Sequence, residues 1–74
     1  MNNSNMCKLY VKAGIAYEDG ESIISDHTYD GLSRILIQKY ESLPKWFRNK
    51  ISLEDLRTGS ASGFKEKFIS DILR

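Results

Sequence analysis

Apolar residues at three- and four-residue steps are the strongest constraint on this chain's fold. Tyr29, Leu32, Ile35, Leu36 and Tyr40 make one such stripe, with Leu43 near its end, while Arg34, Gln38, Lys39 and Glu41 fall on the opposite side. That period fits one buried face of an α-helix and no strand. Met6, Leu9, Tyr10, Ala13, Ala16 and Tyr17 form a second stripe. Ser4 or Asn5 is expected to cap it, Gly14 to weaken it, and Asp19-Gly20 to end it. Glu21 to Ile24 reads as a short connector with Ile23 and Ile24 pinned into the core. Ser25 or Asp26 is expected to cap the second helix.

Pro44 suits the first turn of a short third helix that buries Trp46, Phe47 and Ile51. Ser52-Leu53-Glu54-Asp55 reads as a cap followed by a helical turn, with Leu53 and Leu56 inward. Gly59-Ser60-Ala61-Ser62-Gly63 reads as a loop. Phe64, Phe68, Ile69, Ile72 and Leu73 mark a last amphipathic helix, with Lys65, Glu66, Lys67, Asp71 and Arg74 outward. The expected fold is all-α: one domain over residues 1–74, with four to five short helices, the first two forming an antiparallel hairpin.

Composition limits the function classes. A chain of 74 residues holds one domain and a modest core. Eleven Lys and Arg against ten Asp and Glu speak against gripping phosphate backbones, which needs a basic excess. The single cysteine, Cys7, excludes an intramolecular disulfide and a multi-cysteine metal site. It reads as a small semi-buried side chain in a reducing, cytoplasmic setting. The longest aliphatic run is Ile35-Leu36-Ile37, far short of a membrane span, and no signal peptide is legible. A protein partner or self-association into a homo-oligomer would supply stability that so small a core lacks.

The chemistry concentrates at the start of the second helix. Tyr29 and Asp30 follow Asp26 by three and four residues, so one helical face presents two carboxylates and a phenol. One reading makes Asp26 a helix cap, Asp30 a solvated first-turn acid and Tyr29 a core aromatic. The other makes the ring a stacking surface for a flat, positively charged group, and the acids acceptors for hydroxyls or an amide. Such a constellation suits a nucleotide or nicotinamide and not acid–base hydrolysis. Tyr17, at the end of the first helix, is the further candidate. His27 lacks a nearby nucleophile, and no third ligand completes a metal site, so no metal is expected. Lys45-Trp46-Phe47-Arg48-Asn49-Lys50 mixes bases with aromatics, but so short a patch reads as core rings with solvated charges, not a nucleic-acid site.

The run Ala16-Tyr17-Glu18-Asp19-Gly20-Glu21-Ser22-Ile23-Ile24-Ser25-Asp26-His27-Thr28-Tyr29-Asp30-Gly31-Leu32 resembles the opening of the N-terminal Ia domain of bacterial NAD-dependent DNA ligases. That family carries two aromatics, a short acidic loop, then Ile-Ser-Asp, two variable residues, Tyr-Asp, one residue and Leu. The resemblance implies a small helical module that binds the nicotinamide mononucleotide half of NAD. By it, Tyr17 and Tyr29 would sandwich the nicotinamide, and Asp26 and Asp30 would hold the ribose and amide. The family's first aromatic falls on Ala16, so one ring of the platform is missing. Nothing in the chain resembles the ligase's catalytic lysine motif, its oligonucleotide-binding domain or its zinc site. The expectation is therefore a non-catalytic, free-standing Ia-like module of the kind phage genomes carry. The alternative is a phage interaction protein that kept the scaffold, lost the ligand, and inhibits a host enzyme or a defence complex such as the CRISPR machinery.

Overall fold

Backbone groups at helix ends decide where each segment starts and stops. A computed structural model describes residues 2–58, 63, 64 and 66–68. Helix α1 (Asn3–Glu18) is capped by Asn2, whose side chain accepts from the Asn5 N–H at 2.8 Å. The helix thus begins before the Ser4 or Asn5 cap expected from sequence, because Asn2 already satisfies a free first-turn donor. Its end is as expected. Gly20 adopts φ +83°, the Gly20 N–H bonds the Tyr17 carbonyl and the Glu21 N–H bonds that of Ala16. This is a Schellman stop, which needs a left-handed residue and so favours glycine.

Helix α2 (Asp26–Gln38) starts at Ser25, whose Oγ accepts from the Thr28 N–H at 3.1 Å. Asp26 is therefore a first-turn residue, favourably placed at the positive end of the helix dipole. A 3₁₀ turn (Tyr40–Ser42) follows, then α3 (Lys45–Arg48), with Pro44 in the cap position before it. Helix α4 (Leu53–Thr58) opens on a reciprocal capping box. Ser52 Oγ accepts from the Asp55 N–H at 3.0 Å, and Asp55 Oδ2 accepts from the Ser52 N–H at 3.1 Å. Residues 64 and 66–68 are helical. The described residues are all-α, with no strand among them.

The first two helices form the expected antiparallel hairpin. Tyr17 reaches Asp26, Tyr10 stacks on Tyr29, and Met6 and Leu9 share a strip with Leu32 and Ile35. Helix α2 packs on α4 along its other flank. One core joins all of these elements. Cys7, Val11, Leu36, Phe47, Ile51 and Phe68 are fully buried, and Tyr10, Leu43, Leu56 and Phe64 nearly so. Cys7 is thus more deeply placed than its sequence position suggested. Trp46 is half-buried, edge-on to Phe47 and Phe68.

Four residues expected inward are not in the core: Ile24 and Leu53 are half-buried outside its cluster, and Ile23 and Ile35 are exposed. Ile23 is 53% exposed and Ile35 is 41% exposed. Ile23 lies in the connector, which the Tyr17 hydroxyl ties down through the Ile24 carbonyl. Ile35 shares an open apolar strip with Met6, Leu9 and Leu32. Ile69, Ile72, Leu73, Lys65, Asp71, Arg74 and positions 59–62 of the small-residue loop lie outside the described residues.

Gly14 has a role that helix propensity hides. A Cβ built on it would meet Phe64 Cδ2 at 1.9 Å and Cε2 at 2.1 Å. The Phe64 ring therefore lies directly on the α1 backbone. Gly14→Ala is expected to destabilise the protein by about 1–3 kcal/mol, the usual cost of overpacking, although alanine favours an isolated helix by about 1 kcal/mol. In a Phe64→Ala background the same change should be neutral or stabilising. Urea denaturation of the four chains measures the cycle, and a stabilising Gly14→Ala beside an intact Phe64 would contradict the close approach.

Candidate functional site

The acids and phenol of the second helix converge on a notch of about 480 Å3 between α2 and α4. Asp26, Tyr29 and Asp30 line it from α2, together with Ser33 one turn further on. Tyr10 of α1 contributes to the floor, and Leu56, Arg57 and Thr58 of α4 form the facing wall. The Ser33 hydroxyl lies 3.5 Å from the Leu56 carbonyl, so the two helices meet at the base.

Three of the four residues singled out by sequence share this notch; Tyr17 does not line it. The Tyr17 hydroxyl sits 2.9 Å from the Ile24 carbonyl and 3.1 Å from Asp26 Oδ1, sharing its proton between the two acceptors. It fastens the connector to the first turn of α2 and orients Asp26. The Tyr17 and Tyr29 rings are perpendicular, with centroids 5.2 Å apart at 82°. A flat ligand between two parallel rings needs them about 7 Å apart, twice the ~3.5 Å carbon contact distance. The expected Tyr17–Tyr29 sandwich is therefore not formed: the rings contact each other edge to face.

Tyr29 instead stacks on Tyr10, with centroids 4.6 Å apart and planes within 6°. One face of the Tyr29 ring is thus used by the core. Burial, and then the Tyr10 side chain beside it, hold the Tyr29 phenol above its ordinary value of 10.0, so it is neutral at physiological pH. Asp30 is mostly exposed and pairs with Arg34 one turn along, at 3.1 Å. Exposed pairs of this spacing contribute only about 0.3–0.5 kcal/mol, which leaves Asp30 available to other partners.

Sequence reasoning missed Tyr10, Ser33, Leu56, Arg57 and Thr58. Ser33 was accessible, since it continues the Asp26–Tyr29/Asp30 face by one helical turn. The α4 residues were not, because no periodicity links them to α2. Among the described residues no three of His, Cys, Asp and Glu gather closely enough to hold an ion, and no helix is long and apolar enough to cross a membrane. The Lys45–Lys50 segment spends its rings inward. Phe47 is fully buried, Arg48 Nε donates to the Leu43 carbonyl, and the Lys50 ammonium lies 5.5 Å from the Phe68 ring centroid. On the outer face, Met6, Leu9, Leu32 and Ile35 line a shallow apolar strip with His27 and Gly31.

No family model, curated protein or solved structure matches the chain.

The half-buried phenols of Tyr29 and Tyr40 and the buried Cys7 thiol give a pH signature. Burial pushes the Cys7 thiol from 9.0 up to about 11, and burial first of all raises Tyr29 and Tyr40 above 10.0. A group whose neutral form the fold favours contributes its full stability below its unfolded pKa and loses it as pH rises through the folded one. Thermal stability should therefore fall from about pH 9 upward, and Cys7→Ala should remove the earliest part of that fall. In an absorbance titration, Tyr29 and Tyr40 should ionise above the ordinary tyrosine value of 10.0. Ionisation of Tyr29 and Tyr40 at the ordinary value in a folded chain would contradict those shifts.

Proposed function

We propose that this chain is a non-catalytic binding module whose notch takes the nicotinamide mononucleotide half of NAD. The observation that carries this reading is the convergence of Asp26, Tyr29 and Asp30 on one cavity, whose volume lies in the range of about 300–1,000 Å3 usual for small-molecule sites. The two carboxylates offer acceptors to ribose hydroxyls and to a carboxamide, and their charge favours a pyridinium cation. The stacked Tyr10–Tyr29 pair supplies an apolar floor whose ring electrons favour the same cation. The ligand would rest against this floor, because Tyr17 is turned to the connector. The resemblance of residues 16–32 to the ligase Ia opening points to the same ligand.

A second reading is favoured by the apolar strip of Met6, Leu9, Leu32 and Ile35. In it the chain is a protein-interaction module of phage type that acts on a host enzyme or a defence complex such as the CRISPR machinery. An exposed isoleucine that continues an apolar strip suits a docking surface.

The two readings make separate demands on single residues. Titration with nicotinamide mononucleotide, followed by the tyrosine NMR signals and the melting temperature, should show saturable binding and a ligand-dependent rise in stability. Asp30→Asn should weaken binding by about tenfold or more, as expected on losing a hydrogen bond to a charged group. It should cost under about 0.5 kcal/mol of stability, since only the exposed pair with Arg34 is lost. Tyr29→Ala is a poorer probe, because it also removes the Tyr10 stack. Absence of saturable binding at millimolar ligand would reject the first reading.

A further inference from the structure

The notch carries opposite charges on its two walls. Asp26 and Asp30 stand on α2 and Arg57 stands on α4, and all three line the same cavity. Each charge is stabilised by its own helix. Asp26 lies in the first turn of α2, where the dipole favours an anion, and Arg57 in the last turn of α4, where it favours a cation. The walls are not joined by an ion pair among the described residues. Asp30 pairs along its own helix with Arg34, and Asp26 accepts from Tyr17. Arg57 is exposed, and its guanidinium makes no hydrogen bond or ion pair to any described residue. A guanidinium on the rim of a polar cavity, with its five donors uncommitted, matches a phosphate or carboxylate through two parallel hydrogen bonds.

We infer that the notch selects a phosphate-bearing ligand, with Arg57 holding the phosphate while Asp26 and Asp30 hold the hydroxylated, cationic end. This rests on the binding reading given above and adds to it the residue that recognises the phosphate and the discrimination it confers. The ligand class is a ribonucleoside monophosphate with a cationic base, for which the two walls supply complementary charges. A nucleoside without the phosphate would leave Arg57 without a partner. A purely anionic ligand would meet repulsion at the α2 wall.

The test compares nicotinamide mononucleotide with nicotinamide riboside on the full chain and on Arg57→Gln, by calorimetry at fixed ionic strength. The intact chain should bind the nucleotide about tenfold or more tighter than the riboside, the factor expected of a charge-assisted hydrogen bond. Arg57→Gln should reduce that ratio to near unity by weakening the nucleotide alone, and Arg57→Lys should restore part of it. Arg57 is outside the core, so the variants should melt with the parent chain. Equal affinity for the two ligands on the intact chain would overturn the role of Arg57 and leave the binding reading standing. Arg57→Gln weakening both ligands alike would do the same. Binding of neither ligand would overturn both.

Discussion

The Tyr10 ring is the point on which the whole structure turns. It stacks face to face on Tyr29 of α2, meets Phe47 of α3 edge-on at 6.1 Å, and meets Phe64 edge-on at 5.7 Å. One side chain thus links three segments to α1. Phe64 in turn reaches the α1 backbone only because Gly14 has no side chain, and its own N–H donates to Glu18 at 2.9 Å. Aromatic pairs of these geometries contribute about 0.5–1.5 kcal/mol each beyond the area they bury. In a chain whose core supplies only about 3–5 kcal/mol, that is a large share.

This arrangement makes the fold and the notch interdependent. Tyr29 is both a core ring and the floor of the cavity, so the site cannot shift without disturbing the hub. The polar groups around it are held by cheaper means. Ser25 caps α2, Tyr17 fixes the connector, and the dipoles of α2 and α4 stabilise Asp26 and Arg57. None of these charges needs burial to stay in place. The notch therefore has a packed aromatic floor and an exposed charged rim.

The Tyr40 hydroxyl shows how the short C-terminal elements are held without long helices. It lies 2.6 Å from the Ile51 carbonyl and 3.2 Å from that of Arg48. The 3₁₀ turn after α2 is thereby joined to the end of α3 and the turn that follows it, and the Arg48 guanidinium returns to the Leu43 carbonyl. Side-chain hydrogen bonds to loop carbonyls replace the backbone ladder that a four-residue helix cannot provide.

Local sequence was sufficient for the all-α class, the antiparallel hairpin, the Asp19-Gly20 stop and the Ser52 cap, because helical period and end-capping act between residues a few positions apart. It also placed Asp26, Tyr29 and Asp30 on one face, since their spacing and the helix pitch allow nothing else. It could not show that Tyr17 turns to Ile24 and Asp26, that Tyr10 occupies a face of Tyr29, or that Ile23 and Ile35 stay exposed. Those outcomes depend on which neighbour reaches each side chain first. Gly14 reads as a weak point of α1 until Phe64, far along the chain, is seen to rest on it. Arg57 reads as an ordinary surface charge until α4 is set beside α2. Such pairings join residues distant in sequence, and only close packing in three dimensions selects them.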